Sequence, residues 1–244
     1  MVDIHTHLLF GVDDGPRTLE ESIEMIKMGM RLGFDEFYLT SHYNKGKFNN
    51  EHYEKNYMIL KEKCEELKLE VKVYRGNEVY LKENISEILR DRKFNLIKGK
   101  FLLVEFSPFT PIPVGENLVN KILERGLIPI LAHVERYENF KGSDLVRLRR
   151  LGVKLQVNVG GDKPKHIVRL LKEGYIDFLG SDAHGVEKRA YTMGMELKYR
   201  KKITAFNEIK EEEIRNEKKQ FGNRIFNSFF RSIFTGSWTR GNSY

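Results

Sequence analysis

Val2-Asp-Ile-His-Thr-His7 and Thr18-Leu-Glu-Glu-Ser-Ile-Glu-Met-Ile-Lys-Met-Gly-Met-Arg-Leu32 decide the fold, because a strand is followed, after one loop, by a helix. The first stretch is short, largely apolar and ends in two histidines two residues apart. On an extended backbone that spacing turns both imidazoles to one face. In the second stretch Thr18 reads as an N-cap, with Glu20 and Glu21 in the first turn. Leu19, Ile23, Ile26 and Met30 follow at helical spacing, and Gly33 ends the helix.

The same alternation runs outward along the chain. Strands are expected at Val2–His5, Glu36–Thr40, Val71–Glu78, Phe101–Glu105, Ile128–His133, Lys154–Val159 and Asp177–Ser181. Helices are expected at Thr18–Leu32, Glu51–Leu67, Ile85–Asp91, Glu116–Arg125, Asp144–Leu151, Lys165–Glu173 and Val186–Tyr199. Strands alternating with helices build parallel βαβ units. Seven units fit a closed or nearly closed α/β barrel, with an open doubly wound sheet as the alternative. A chain of 244 residues suits one such domain.

No stretch approaches the roughly 18–20 continuous apolar residues of a membrane span. The N-terminus has neither a basic nor an apolar signal region, so a cytoplasmic location is expected. A single cysteine, Cys64, excludes an internal disulfide framework. The net charge is +7, but Lys218, Lys219, Arg224, Arg231 and Arg240 supply five of those charges after the last acidic residue. The body is therefore nearly balanced, which argues against a nucleic-acid partner. The expected division is a catalytic body at 1–217 and a basic, aromatic tail at 218–244.

Catalytic groups of a parallel barrel gather at the C-terminal strand ends. Those ends carry His5 and His7, His42, Glu78, Glu105, His133, and Asp182 with His184; the first loop adds Asp13 and Asp14. The other two histidines, His52 and His166, fall on expected helices. A single histidine of this kind is often structural. So many ionisable groups in one small space are costly to bury without a compensating cation. Imidazole and carboxylate together suit Mn, Fe, Co or Zn better than Ca or Mg. So many candidate ligands imply two or three ions, with a carboxylate such as Glu78 bridging. A site of that kind activates water for an in-line phosphoryl displacement.

Arg136 lies three residues after His133 and Arg189 five after His184, so both should reach the same rim. There a guanidinium can hold phosphate oxygens, or can simply be ion-paired. Lys45 and Lys47 read as solvated loop charges.

These residues also resemble a known family. Asp3-Ile-His-Thr-His7, Val12-Asp-Asp-Gly15, Ser41-His42, Gly76-Asn-Glu78, Ala132-His-Val-Glu-Arg-Tyr137 and Ser181-Asp-Ala-His184 resemble the polymerase-and-histidinol-phosphatase superfamily. Gly11-Val-Asp-Asp-Gly-Pro16 with Thr18-Leu-Glu-Glu-Ser22, and the Ala-His-x-Glu-Arg-Tyr run, are similar to its bacterial tyrosine-protein phosphatase branch of capsule and exopolysaccharide synthesis. The likeness spans roughly Met1 to Tyr199. It implies a distorted (β/α)7 barrel and a trinuclear, often manganese-dependent, centre. The implied ligands are His5, His7, Asp14, His42, Glu78, Glu105, His133, Asp182 and His184, with Arg136 and Arg189 holding phosphate. The implied substrate is phosphotyrosine on a membrane-associated tyrosine autokinase, hydrolysed by metal-activated water. Alternatives within the superfamily are a histidinol-phosphate phosphatase or a nucleic-acid 3′ exonuclease. A non-catalytic regulatory module would be expected to lack ligands.

Cys64 does not fit a cysteine-dependent phosphatase. Its neighbours in Lys63-Cys-Glu-Glu-Leu-Lys-Leu69 are acidic and should raise the thiol pKa. The chain departs from the family pattern in two places. Val159–Tyr175 is short where the family usually carries a longer insertion. In the tail, Phe221, Ile225, Phe226, Phe229, Phe230, Ile233 and Phe234 would share one helical face. That face is expected to dock on the barrel; the alternative is peripheral contact with a membrane or a partner.

Overall fold

The structure, a computed structural model, describes residues 1–192. Strands and helices alternate as β1 (Val2–Thr6), α1 (Leu19–Arg31), β2 (Glu36–Leu39), β3 (His42–Tyr43), α2 (Tyr53–Glu66), β4 (Lys72–Arg75) and β5 (Glu78–Tyr80). They continue with α3 (Ile85–Asp91), β6 (Phe101–Glu105), α4 (Ile112–Leu123), β7 (Ile128–Leu131), α5 (Gly142–Arg150), β8 (Lys154–Asn158), α6 (Lys165–Glu173) and β9 (Phe178–Gly180). The expected tail helix lies outside the described residues. Among the described residues no helix is long and apolar enough to cross a membrane.

Among the described residues every pairing between these strands is parallel. Two ladders run β1-β2-β4 and β3-β5-β6-β7-β8-β9. They are joined where two strands are interrupted, at Thr40-Ser41 between β2 and β3 and at Gly76-Asn77 between β4 and β5. Thr40 N–H donates to Thr6 O at 2.9 Å, and Glu78 N–H to Thr40 O at 3.2 Å, so the sheet is continuous across the breaks. The ring closes where Asp182 N–H donates to His5 O at 2.7 Å and His7 N–H to Ala183 O at 2.9 Å. Counting each interrupted strand once, seven strand positions form a distorted parallel barrel.

The expected Val71–Glu78 strand is therefore two strands. Its break is stabilised by the buried Asn77 side chain, which donates to Ser41 O at 2.9 Å and accepts the Asn95 N–H at 2.8 Å. An amide placed there satisfies backbone groups that the ladder gives up.

Helix starts follow local chemistry. Thr18 Oγ1 accepts the Glu21 N–H at 3.2 Å and opens α1. The outward strand residues Val79, Leu102, Val104, Leu131 and Leu155 pack on Leu89, Ile122, Leu148 and Ile167 of α3 to α6. A second cluster sets Phe37, Leu39 and Val73 against Ile26 of α1 and Leu60 of α2. With the outward face committed to helices, period-2 alternation sends the intervening residues inward.

The expected Val186–Tyr199 helix is absent over its described part, Val186–Thr192, and the remainder lies outside the described residues. Arg189 has φ +51°, which no α-helix accommodates. Tyr191 is buried, its hydroxyl donating to Asp3 Oδ2 at 2.9 Å. Anchoring that ring in the core holds the segment open.

Candidate metal centre

All nine candidate ligands converge at the C-terminal end of the barrel. Four sets each bring one ligand atom per residue within 4.8 Å of one another. They are His7, Asp14, His42 and His184; His5, His7 and Asp182; His5, Glu78 and His133; and His42, Glu78 and Glu105. His5, His7, His42 and Glu78 each belong to two sets, so the sets merge into one array. Glu78 is central. Its Oε1 is 3.3 Å from His5 Nε2 and 2.9 Å from His133 Nε2; its Oε2 is 2.9 Å from His42 Nδ1 and 3.4 Å from His7 Nε2. Opposed carboxylate oxygens serving different imidazoles are the arrangement a bridging ligand needs.

Backbone strain contributes to this convergence. Leu131 faces the helices, so a regular strand would send His133 outward as well. His133 instead has φ +34° and ψ 56°, and its imidazole turns inward to Glu78. Asp182 and Arg189 also have left-handed backbones, at φ +53° and +51°. Such conformations cost about 1–3 kcal/mol each and persist where packing enforces them. The loop before α1 is pressed against β1: a side chain at Gly15 would place its Cβ 2.3 Å from His7 O.

The donor set fits divalent cations. His42 Nδ1 and Glu78 Oε2 are 2.9 Å apart yet neither has a hydrogen-bond partner. His133 Nδ1 and His184 Nε2 are likewise buried without one. Buried polar atoms are rarely left so. Lone pairs crowded together without hydrogen bonds between them suit a shared cation.

Electrostatics agree. Burial favours neutral Glu78, but His5, His42 and His133 outweigh it and hold the carboxyl well below its usual range. Burial opposes charge on His7 and His133, yet Asp13 and Glu78 push His7 up to about 10, while Glu105 and Glu78 push His133 up to about 9. His184 moves the other way, down to about 4, through burial and the nearby His7. Protons thus supply the positive charge that cations would supply when bound.

Both expected arginines reach the site. Arg136 Nη2 lies 2.5 Å from Asp182 Oδ2, and Arg189 Nη2 donates to Asp182 Oδ1 at 2.8 Å. Their side chains remain 42% and 41% exposed. They face a cavity of about 530 Å³ that is also lined by Asp182, Glu187 and Thr192.

Lys45 corrects the reading of a solvated loop charge. Its Nζ lies 2.6 Å from Glu105 Oε1 and 3.3 Å from His42 Nε2, drawn in by the carboxylate; Lys47 is exposed. Two further residues carry roles that the sequence left unassigned. Asp13 Oδ2 meets His7 Nδ1 at 2.7 Å, and Asp3 Oδ1 accepts the Ser181 N–H at 3.0 Å, tying β1 to the chain after β9. The doubled aspartate at 13–14 was the available signal for Asp13, but spacing in a loop does not say which of the two turns inward. Cys64 is buried outside the site, and burial with Glu65 nearby pushes its thiol up to about 11.

A parallel α/β barrel with a histidine–carboxylate array at its C-terminal mouth defines a metal-dependent enzyme class. The chain belongs to the CpsB/CapC family of capsular polysaccharide synthesis, which matches residues 1–221. It is 31% identical over 206 residues to the tyrosine-protein phosphatase CpsB of Streptococcus agalactiae serotype III (strain NEM316), covering 78% of this chain and 85% of that protein. Tyrosine-protein phosphatase YwqE of Bacillus subtilis (strain 168) is 30% identical over 209 residues, covering 78% of this chain and 80% of that one. A crystal structure from work on Bacillus subtilis YwqE and Streptococcus pneumoniae CpsB, described as unique metal-dependent tyrosine phosphatases, matches with a TM-score of 0.74 at 26% identity. That match covers 84% of this chain and 89% of the other.

Proposed function

We propose that this chain is a metal-dependent tyrosine-protein phosphatase of capsule or exopolysaccharide synthesis. The observation that carries the reading is Glu78, whose two oxygens lie among four imidazoles of the array. His5, His7, Asp14, His42, Glu78, Glu105, His133, Asp182 and His184 would hold two or three divalent ions, with Mn favoured and Fe, Co or Zn also suited. The ions, when bound, supply an activated water and neutralise charge on the phosphoryl group. Arg136 and Arg189 orient the phosphate through their exposed N–H groups while Asp182 holds them in place.

The substrate we favour is phosphotyrosine on a membrane-associated tyrosine autokinase. Family membership and the named activity of the relatives support that choice. The body at 1–217 ends close to the family match at 221. For the segment 218–244 the alternative to docking on the barrel is peripheral contact with the membrane that carries the kinase. Lipid co-sedimentation that does not change on removing 218–244 would reject that contact.

The deciding assay supplies Mn and compares a phosphotyrosine peptide, histidinol phosphate and an oligonucleotide. Phosphotyrosine turnover that is lost on metal removal is expected. Turnover that survives complete chelation, or that favours one of the other substrates, contradicts the reading. His42→Ala and Asp182→Ala should each abolish turnover in a folded protein.

A further inference from the structure

The β8 position of the barrel carries none of the nine candidate ligands. Its inward residues Gln156 and Asn158 present amides to the array instead. Both are buried.

The hydrogen-bond directions along this strand can be assigned from one fixed donor. The backbone N–H of His133 can only donate, and its partner at 2.7 Å is Gln156 Oε1. The amide oxygen therefore faces His133, and a flipped amide would set N–H against N–H. The same oxygen lies 3.1 Å from His5 Nδ1. An oxygen acceptor there requires that Nδ1 carry the proton. In neutral imidazole the lone pair is then on Nε2, which faces Glu78 Oε1 at 3.3 Å and Asp182 Oδ1 at 3.4 Å. Gln156 Nε2 donates to Asn158 Oδ1 at 2.9 Å, which leaves Asn158 Nδ2 to donate to Asp182 Oδ2 at 3.0 Å. Arg136 pairs with that same Oδ2, while Asp182 Oδ1 accepts from Arg189 and also lies 3.4 Å from His5 Nε2. Close packing keeps the register: a Cβ on Gly180 would lie 2.5 Å from His5 Cβ and 2.9 Å from Gln156 Nε2.

We infer that Gln156 is a positioning residue: it locks His5 as its Nδ1–H tautomer with Nε2 presented to the metals. The inference rests on the metal-centre reading above. Partners of this kind fix ligand orientation without touching the ion.

The test uses the full chain with 15N-labelled histidine, loaded with Zn(II) as a diamagnetic probe. The wild type should show His5 bound through Nε2 with a proton on Nδ1. In Gln156→Leu that signature should be lost, and Zn(II) affinity, measured by chelator competition, should fall about 10–100-fold. Gln156→Glu keeps an oxygen toward both donors and should keep the signature. Coordination through His5 Nδ1 in the wild type overturns the proposal. So does a folded Gln156→Leu with wild-type tautomer and affinity. Should Gln156→Leu not fold, the wild-type and Gln156→Glu spectra decide, and Nδ1 coordination in either rejects the lock. Phosphotyrosine turnover is measured on the same wild-type sample. An intact His5 signature without turnover removes the phosphatase reading alone; turnover with the opposite tautomer removes this one alone. Failure of the wild type to bind Zn(II) removes both.

Discussion

The Asp13 carboxylate holds the His7 imidazole at 2.7 Å from Nδ1 and, through the same oxygen, accepts the His42 N–H at 2.8 Å. Its other oxygen accepts the Gly15 N–H at 3.0 Å. One buried carboxylate thereby sets the orientation of His7, the backbone at His42 and the course of the loop that carries Asp14.

Asp13→Asn should accordingly weaken metal binding by about 10–100-fold while the barrel stays folded. Chelator competition with Mn or Zn measures the loss. An affinity equal to wild type would assign Asp13 a purely local role in the loop.

Metal uptake should release protons at neutral pH. Burial disfavours protonated His7 and His133, but the carboxylates beside them push their pKa values up to about 10 and about 9 in the metal-free protein. Both lie above the unfolded value of about 6.5. These protons therefore stabilise the metal-free fold fully below about pH 6.5, and that contribution is lost as pH rises through about 9 to 10. Ligation requires neutral imidazole. Calorimetric titration of Mn at pH 7.5, in buffers of different ionisation heat, should show net proton release. Equal heats in all the buffers would rule it out.

Replacing Arg136 or Arg189 by Ala should lower kcat/KM by about 10–100-fold, since a hydrogen bond to a charged group contributes about 1.5–3 kcal/mol. Metal content should be retained. Arg→Lys should recover little, because an ammonium cannot reproduce the planar fork. Full activity in both Ala variants would reject the phosphate-holding role.

Cys64→Ala should leave turnover intact. The thiol is buried in the core cluster beneath α1 and α2 and is pushed up to about 11, so it is neither accessible nor ionised at neutral pH. A thermal shift of a few degrees is the expected consequence, from a loss of about 1 kcal/mol. Loss of turnover in a folded variant would reopen a cysteine mechanism.

Much of the barrel and the array was legible in the residue pattern. His5, Glu78 and Glu105 end apolar runs at the phase that faces inward, and parallel strands put all their C-terminal ends on one side. Strand phase fails for His133, which reaches the array through a left-handed backbone. It also cannot separate Asp13, which braces His7, from Asp14, which approaches His42 and His184. Lys45 looked solvated because Glu105, its partner, is sixty positions away in the chain.

By itself the sequence determined the order of the strands and of the first six helices, the seven strand positions and the side chains offered at their ends, because periodicity and capping are local properties. Tertiary structure alone decided the breaks at Thr40-Ser41 and Gly76-Asn77, the open segment anchored by Tyr191, and the amides of Gln156 and Asn158 that face His5 and Asp182. Each depends on which polar atoms ring closure brings together. His5 and His7, legible as two imidazoles on one strand face, became part of an array only when the chain after β9 closed against β1.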